Sequence, residues 1–454
     1  MKRHLFVGRF GLNDKINIPS NPDEQETSLQ LVCGKKSLNY GINDALECLH
    51  RLGVFPSEVG LDLLVVAAHV YAADTRISRT EQSQDSWTRE IRLVIPVSDP
   101  KLWQAVSGRL KQMLDFLTGD RWIIGFRSRP SQYANILSHS EKSLFPVFDT
   151  LSLFSGGLDS LIGTIDLLEC GYKPLLISHA NERATSSAQN KLFSNLKDSY
   201  KGSSFDRLRA WMEFPKDPVN SVQAESTTRG RSFLFFALGA FAGTGLESSF
   251  VLHVPENGLI ALNVPLDLLR LGSCSTRTTH PFYMARWNDL LAELRINGRV
   301  ENPYWNKTKG EMISACKNSI LLHTYASDTL SCSSPLKQRW KKRNTEQCGY
   351  CLPCIIRRAA LEKAWGPGKD PTFYTVNDFH AHPLSTNTEE GKQIRSFQVA
   401  IERLRRNPGL ATLLIHKPGS LSDEVNRLDQ LADVYRRGLE EVAQLIQDVK
   451  TTSS

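Results

Sequence analysis

Long apolar stretches are missing from this chain of 454 residues. The longest, Phe233–Gly243, is shorter than the about 20 apolar residues that a membrane span needs, so the sequence predicts a buried helix there. The basic start of the sequence has few apolar residues before Arg9, which argues against a secretory signal peptide. We therefore expect a cytoplasmic protein without a membrane partner.

The sequence also lacks an even set of cysteines, a large excess of charge and two familiar glycine-rich nucleotide motifs. Its nine cysteines and its net charge of +7 favour neither a disulfide scaffold nor an obligate nucleic-acid binder. Neither Gly-x-x-x-x-Gly-Lys-Ser/Thr nor Gly-x-Gly-x-x-Gly occurs, so the kinase-type P-loop and dinucleotide-binding classes have no motif here. With 41% hydrophobic and 23% charged residues, the chain has the composition of a globular protein of about two to four domains.

Residues 1–145 predict a small α+β domain. Leu63–Tyr71 and Ile91–Val97 are apolar runs of extended character, and an amphipathic helix is predicted over Leu102–Leu117. Between the two runs, Ala73–Glu90 is rich in charged and hydroxyl residues, which predicts an exposed hairpin or loop. No chemical motif occurs in this region, so its role stays open.

The pattern changes near residue 150 to that of an α/β fold. A short strand, Thr150–Phe154, enters the loop Ser155–Ser160, and a helix and a second strand, Leu175–Ser178, follow. The helix at 233–242 then leads into the run Phe250–Val254. Alternating strands and helices predict a parallel sheet, so we expect an α/β fold for this part of the chain.

The loop Ser155–Ser160 has the composition of a phosphate cradle. A strand that enters a Ser-Gly-Gly loop and opens a helix presents backbone N–H groups and the positive helix end to an anion. Glycines at this point also let phosphate oxygens approach the chain closely. The alternative interpretation is an ordinary glycine turn between a strand and a helix.

Cys348, Cys351 and Cys354 form a Cys-x-x-Cys-x-x-Cys set, which in a reducing compartment favours metal binding. A tetrahedral zinc site needs a fourth ligand, for which Cys332 is the preferred candidate. Less favoured fourth ligands are Cys316, Cys274 and His323. An iron–sulfur cluster and free buried thiols are the alternatives to zinc.

Ser155-Gly-Gly-Leu-Asp-Ser160 after an apolar strand resembles the SGGxDS loop of the N-type ATP pyrophosphatases. The resemblance implies a Rossmann-like parallel sheet and cleavage of ATP between its α- and β-phosphates with Mg²⁺ present. It also implies that the loop holds the leaving pyrophosphate. The residues assigned to ATP on this basis are Ser155, Gly156, Gly157, Leu158, Asp159 and Ser160.

The later cysteines narrow the resemblance to one family. Ser331-Cys332, Cys348-Gly349 and Cys354-Ile-Ile-Arg357 together resemble the SCx(n)CGxCxxCxxR module of the 7-cyano-7-deazaguanine synthase (QueC-like) family. The match covers residues 150–365 and includes a zinc module at 332–354 on a helical lobe. It implies that the enzyme adenylates the carboxylate of 7-carboxy-7-deazaguanine, after which ammonia gives the amide and then the nitrile.

The chain departs from the common form of that family in length and in its basic segments. It adds the region 1–145 and a mostly helical extension over 366–454, and Lys337–Arg343 carries a basic run around Trp340. The long form resembles the QatC type of QueC-like proteins from bacterial antiviral defence operons. That resemblance implies partner proteins and an altered nitrogen acceptor, such as the amine of a partner protein. The basic run would also suit single-stranded nucleic acid, but most such runs are solvated surface.

Several further residues are assigned by their chemistry and position. Arg231, before the buried helix, is assigned to phosphate or a substrate carboxylate, and Lys309 is assigned to phosphate. With Ser155, Asp159 and Ser160 they form the predicted catalytic set. The predicted substrate residues are Glu256, Asn257, Arg277 and His280, with Glu256 accepting from the amidine edge of a deazaguanine. Each assignment has a competing interpretation. Arg231 could lie in a solvated basic turn, and Lys309 could simply begin a helix. Glu256 and Asn257 could cap a loop, and Arg277 and His280 could be surface residues.

Two other functions compete with this interpretation. One is an RNA-directed relative, such as a tRNA thiolase, which would need a sulfur-carrying cysteine. The other is a catalytically silent nucleotide-binding scaffold subunit of a defence complex. The intact Ser-Gly-Gly-x-Asp-Ser loop argues against the scaffold.

Overall fold

The structure is a computed structural model that describes residues 3–33, 37–83, 85–137, 148–179, 182–215, 219, 224–225, 229–246, 248–267, 277–333 and 347–453. The basic run Lys337–Arg343 with Trp340, and Cys274, lie outside the described residues. Of the helices in these ranges, none combines the length and apolarity needed to cross a bilayer.

Strands alternate with helices along most of the chain. The strands are β1 Arg3–Arg9, β2 Glu24–Gln30, β3 Val32–Cys33, β4 Ser37–Leu38, β5 Glu90–Val97, β6 Arg121–Ser128, β7 Thr150–Leu153, β8 Pro174–His179, β9 Asp206–Ala210, β10 Phe250–His253, β11 Gly298–Glu301, β12 Leu384–Ser385 and β13 Thr451–Thr452.

The α-helices vary from single turns to about five turns. They are α1 Ile42–Arg51, α2 Glu58–Arg76, α3 Arg79–Gln82, α4 Pro100–Ala105, α5 Ser107–Thr118, α6 Leu158–Glu169, α7 Arg183–Ser199, α8 Arg231–Gly243, α9 Gly258–Leu262, α10 Pro281–Glu293, α11 Lys309–Ser314, α12 Ser319–Tyr325, α13 Leu352–Trp365, α14 Glu389–Arg406, α15 Leu410–Leu414 and α16 Leu428–Leu445.

The larger of the two main sheets is a five-stranded parallel sheet in the order β11-β10-β7-β8-β9. The predicted strands at 150, 175 and 250 and the parallel arrangement are confirmed, and β11 extends the sheet past residue 265. From β7 the chain adds β8 and β9 on one side and then crosses to β10 and β11 on the other. The order therefore reverses between β7 and β10, where open α/β sheets form a crevice at the carboxyl ends of their strands.

The N-terminal region requires a correction to its fold class. Four of its six strands pair in the order β2-β1-β5-β6 with all three pairings parallel, and the short strands β3 and β4 form a separate antiparallel pair. The region is therefore a parallel α/β sheet and not the predicted α+β domain. The strand over Ile91–Val97 is confirmed within β5, and the helix at Leu102–Leu117 is found as α4 and α5, which meet at Val106.

The predicted strand at Leu63–Tyr71 is wrong, because these residues lie in the middle of α2. Ser57 caps the helix by accepting a hydrogen bond from the Gly60 amide at 3.3 Å. Nearly every residue of α2 is buried, since the helix packs between the N-terminal sheet and α8. A helix that is apolar on all sides shows no helical period, so its sequence cannot be distinguished from that of a buried strand.

The predicted exposed loop at Ala73–Glu90 is also wrong. Asp74, Arg79 and Arg89 of this segment form buried ion pairs with each other and with Asp120. Each of these four side chains is at most 5% exposed. The charges that suggested a surface loop therefore neutralise each other inside the molecule.

The two main sheets share one hydrophobic core. The same cluster of buried residues contains α2 and β5 from the N-terminal region and β7, α8 and β10 from the central sheet. A separate cluster joins α9, α13 and the C-terminal helices α14, α15 and α16. The C-terminal helices therefore pack against both the cysteine-bearing helix α13 and an element that follows β10.

Candidate functional site

The loop after β7 has the geometry that its glycines predict. Gly156 has a φ of +83°, which favours glycine, and its carbonyl accepts a hydrogen bond from the Leu330 amide at 2.8 Å. Ser160 Oγ donates to the Gly157 carbonyl at 2.9 Å, and Ser155 Oγ lies 3.3 Å from Ser160 Oγ. These contacts fix the loop at the carboxyl end of the central strand.

Helix α6 begins directly after this loop. Gly157 is its N-cap, and no side chain of the described residues caps it. The first amide groups of the helix, at Leu158, Asp159 and Ser160, thus carry the partial positive charge of a helix N-terminus. With Ser155 exposed beside them, the loop has the hydrogen-bond donors and the access that an anion needs.

Four of the predicted site residues meet in one cluster at the crevice between β7 and β10. Lys309 Nζ donates to Asp159 Oδ1 at 2.5 Å. Asn257 Nδ2 donates to the other oxygen of Asp159 at 2.9 Å and to Glu256 Oε1 at 3.0 Å. Asp159 follows β7, Glu256 and Asn257 follow β10, and Lys309 begins α11. The sheet therefore joins residues that are 150 positions apart in the sequence.

Further hydrogen bonds hold Asn257 and Glu256 in place. Asn257 caps α9 by accepting from the Ile260 amide at 3.1 Å. Asn302, which follows β11, donates to the Glu256 carbonyl at 2.8 Å. Asp159, Asn257 and Lys309 are each at most 6% exposed. The cluster is therefore fixed before any ligand arrives.

The two carboxyl groups of the cluster have opposite pKa shifts. Burial alone would raise the pKa of Asp159, but the charge of Lys309 and the surrounding hydrogen bonds hold it below its usual value. Burial, and next the charge of Asp159, raise the pKa of Glu256 well above its usual value. Asp159 is thus the ionised carboxylate, and Glu256 holds its proton more tightly.

Arg231 lies on the other side of the loop, at the carboxyl end of β8. Its guanidinium donates to the His179 carbonyl at 3.0 Å, and Gln189 Nε2 donates to the same carbonyl and to the Ser155 carbonyl. Arg231 is therefore linked to the loop through Gln189. Burial lowers the pKa of His179 to about 3, with the charge of Arg231 as a further cause, so its imidazole is neutral.

Several polar atoms around Arg231 have no hydrogen-bond partner among the described residues. They are Arg231 Nε, Gln189 Oε1 and both ring nitrogens of His179. Buried polar groups without partners are rare in folded proteins. Of these residues, Gln189 contacts the loop Ser155–Ser160 through its hydrogen bond to the Ser155 carbonyl, and the ring of His179 packs edge-on against Tyr71. The sequence interpretation missed Gln189 and His179, which carry no motif.

The structure does not bring Arg277 and His280 into the Asp159 cluster. Arg277 donates to the Phe116 carbonyl at 2.9 Å, and its guanidinium lies 4.9 Å from the centre of the Phe116 ring. His280 is the N-cap of α10, accepts from the Phe282 amide and is fully buried against Phe116. Both contact the N-terminal region, so their described contacts are those of packing and capping residues.

The four predicted cysteines meet in a second centre. The Sγ atoms of Cys332, Cys348, Cys351 and Cys354 all lie within 4.8 Å of one another. The distance is 3.8 Å between Cys348 and Cys354 and 3.9 Å between Cys351 and Cys332. A tetrahedral zinc ion with Zn–S bonds of about 2.3 Å requires sulfur atoms about 3.8 Å apart. The set thus fits zinc, and Cys332 is the fourth member as predicted.

The two other fourth-ligand candidates within the described residues lie elsewhere. Cys316 contacts the Asn318 carbonyl, and the ring of His323 packs on Trp365. Next to the cluster, the fully buried Arg357 donates to the Ala326 carbonyl at 2.7 Å and to Thr329, both between α12 and α13, and to Thr372, which follows α13. The terminal arginine of the cysteine module thus fixes the segment that delivers Cys332.

The chain was compared with protein-family models and with curated proteins. No family model matches the chain, and no curated protein matches it.

Proposed function

We propose that this chain is a QueC-like ATP pyrophosphatase, similar to the QatC type of bacterial defence operons. It would bind Mg-ATP over Ser155–Ser160 and adenylate the carboxylate of 7-carboxy-7-deazaguanine. The observation that carries the proposal is the joining of this glycine loop to the Asp159 cluster at the point where the strand order reverses. Ligands of open α/β sheets bind at that point. The deazaguanine and the defence role rest on the sequence resemblance.

The proposed reaction has two steps. In the first, a substrate carboxylate oxygen attacks the α-phosphorus of ATP, the bond to the bridging oxygen breaks, and pyrophosphate leaves with that oxygen. In the second, a nitrogen nucleophile attacks the acyl carbon, loses a proton and releases AMP, which forms an amide. With ammonia the amide oxygen would attack a second ATP in the same way, and elimination of AMP with the remaining nitrogen protons would give the nitrile, whereas a protein amine would stop at the amide.

The residues of the loop stabilise the charge that develops on pyrophosphate. The amide groups at the start of α6 are fixed donors that need no reorganisation during the reaction. Lys309, held by Asp159, adds a positive charge at the same edge of the sheet. Magnesium would arrive with the nucleotide and neutralise phosphate charge, and the ionised carboxylate of Asp159 is of the hard donor type that it prefers.

Glu256 is suited to bind the base. It lies next to Asp159 and Asn257, and burial together with the charge of Asp159 raises its pKa, so further N–H donors would stabilise its carboxylate form. The amidine edge of a deazaguanine offers N–H donors that would supply this stabilisation. The cysteine centre is assigned a structural role, because its four sulfur ligands leave no open position for substrate.

The test is incubation of the purified chain with Mg-ATP and 7-carboxy-7-deazaguanine, with and without ammonium, followed by mass spectrometry. AMP, pyrophosphate and nitrile would support the small-molecule synthase. AMP with a trapped adenylate but no nitrile would support adenylation with a protein or nucleic-acid acceptor. Absence of AMP under both conditions would overturn the proposal and favour the scaffold or the RNA-directed enzyme.

A pair of variants ties the activity to the site. Asp159→Asn removes the charge that holds Lys309 and should abolish AMP formation. Asp198→Asn is the matched control, because Asp198 is exposed on α7. Equal AMP formation by both variants would contradict the assignment of the site.

A further inference from the structure

The C-terminal helix α16 contacts α9 and α11, the two helices that begin at Asn257 and Lys309 of the Asp159 cluster. It packs against α9, which Asn257 begins. A Cβ atom on Gly438 would lie 2.9 Å from the Leu259 Cβ, and one on Gly258 would lie 2.8 Å from a methyl group of Val434. The two helices therefore approach more closely than side chains at these glycines would allow.

The same helix reaches the start of α11 through Glu441. Thr308 Oγ1 donates to Glu441 Oε1, and the Gly310 amide donates to Glu441 Oε2 at 3.2 Å. The two donors flank Lys309 in the sequence, and Glu441 is only 7% exposed. A Cβ atom on Gly310 would lie 2.5 Å from Glu441 Oε1, so glycine is required for this approach.

The start of α11 is also organised by its own sequence. Thr308 and Glu311 form a capping box, in which each side chain accepts from the backbone amide of the other. Arg437, one turn before Glu441 in α16, donates to the Glu311 side chain and to the Asn306 carbonyl. Two residues of α16 thus hold the short helix whose first residue is Lys309.

We propose that Glu441 is a positioning residue, which fixes the backbone on both sides of Lys309 so that the ammonium group reaches Asp159. This role in catalysis rests on the proposed function, whereas the structural part does not. The C-terminal extension then contributes to the structure of the site. Its action on Lys309 is through the backbone, since Glu441 contacts Thr308 and Gly310 and not the ammonium group.

The first test measures Lys309 without any substrate. Reductive methylation of lysines in the folded full-length chain, quantified by mass spectrometry of peptides, reports how well each ammonium group is protected. In Glu441→Gln the Thr308 hydroxyl and the Gly310 amide lose the charged acceptor that they share and only one side-chain oxygen remains, so we expect Lys309 to react about fivefold faster, the factor for one lost hydrogen bond. Glu440→Gln, whose residue is exposed on the same helix and pairs with Arg405, is the matched control.

Labelling of Lys309 at the wild-type rate in folded Glu441→Gln would overturn the proposal. If that variant does not fold, Gly310→Ala makes the same test, because its methyl group displaces the Glu441 carboxylate. Its control is Gly108→Ala in α5, where a Cβ atom meets nothing within 4 Å. Unchanged Lys309 labelling in Gly310→Ala would equally overturn the proposal.

The second test measures coupling in AMP formation. If Glu441 acts through Lys309, Glu441→Gln should lower kcat in the wild-type background and have no further effect in a Lys309→Ala background. Independent, multiplicative losses would show a merely structural role and overturn the proposal. Faster labelling of Lys309 in Glu441→Gln together with no AMP from the wild type would leave the positioning role standing and refute the proposed function.

Discussion

At the scale of single residues, the Asp159 cluster combines charges that burial would otherwise penalise. Asp159 and Lys309 are both nearly inaccessible to solvent, and each compensates the other. A buried ion pair contributes little net stability, but the loss of one partner leaves an uncompensated charge in the interior. The pair is therefore sensitive to substitution on either side.

Lys309→Ala is expected to lower the free energy of unfolding by about 3–5 kcal/mol, the usual range for breaking a buried pair. Urea denaturation followed by tryptophan fluorescence would measure the loss. Lys307→Ala is the control, since Lys307 is partly exposed and lies over the ring of Tyr304. Equal stability of the Lys309 and Lys307 variants would contradict the ion pair.

Glu256 gives a prediction about pH. Its pKa is raised in the folded protein above the model-compound value of 4.5, so the folded state binds this proton more tightly than the unfolded state. This contribution to stability is present at acidic pH and is lost as the pH rises through the folded-state pKa. Glu256→Gln removes the titration, so its melting temperature should fall less than that of the wild type as the pH is raised from 4.5, the ordinary glutamate value, towards neutrality.

The comparison uses thermal melts of both proteins across that range without added magnesium. Glu301→Gln is the control, because Glu301 lies on the neighbouring strand β11 and is partly exposed. Parallel melting curves for wild type and Glu256→Gln would show that Glu256 titrates as in the unfolded chain.

At the scale of elements, the cysteine centre and α13 form one unit. Cys351 occupies the N-cap position of α13, Cys354 lies in its first turn, and Arg357, one turn further on, contacts Ala326 and Thr372. A metal bound by these cysteines would thus fix the start of a helix that packs against α11 and α16. The cysteine centre therefore stabilises a helix that packs against α11, whose first residue is Lys309.

Cys351→Ser is expected to lose bound zinc and to unfold the lobe around α13, because a structural zinc site contributes on the order of 10 kcal/mol to local folding. Metal analysis of the purified protein and thermal melting would test this. Cys170→Ser is the control, since Cys170 is exposed and lies outside the cysteine cluster. Full zinc content and unchanged melting of Cys351→Ser would show that the ligand assignment is wrong.

At the scale of the whole molecule, the N-terminal region and the central sheet are built as one body. Helix α2 packs along α8, and Asp74 at its end accepts from the Gly230 amide at 2.6 Å, immediately before Arg231. The same carboxylate pairs with the buried Arg89. One network therefore joins the N-terminal sheet to the element that carries a predicted catalytic residue.

Asp74→Ala should lower the free energy of unfolding of the whole chain by about 3–5 kcal/mol, because the buried guanidinium groups of Arg79 and Arg89 lose one of the two carboxylates that they share and keep only Asp120 of that pair. We also expect weaker binding of ATP, since the start of α8 loses its anchor. Chemical denaturation and calorimetric titration would measure the two effects. Asp44→Ala, at an exposed position of α1, serves for comparison, and a loss no larger than in that variant would refute the network's role.

The sequence predicted local motifs well and long-range neighbours poorly. The loop, the strand before it and the four cysteines each follow from short patterns with a physical reason. Helix α2 was mistaken for a strand because burial on every side removes its period. Arg277 and His280 were assigned to substrate because their loop had no pattern, whereas tertiary packing on Phe116 accounts for their contacts.

For the Asp159 cluster, the sequence predicts the individual residues but not that they lie together. Its members were assigned one by one, and the order of the strands, which no local pattern contains, brings them together. The Thr308–Glu311 capping box could have been found from its spacing. Glu441 carried no signal, because a single glutamate in an amphipathic helix has the same pattern whether it faces solvent or a buried amide.

The late position of α16 in the chain has a consequence for biosynthesis. Asp159, Glu256 and Lys309 are all translated before Glu441, which holds the backbone around Lys309. A ribosome that stops before residue 441 therefore releases a chain that has every member of the cluster but not the helix that positions it. Incomplete products would carry an unfinished centre, so the site is complete only after α16 has been synthesised.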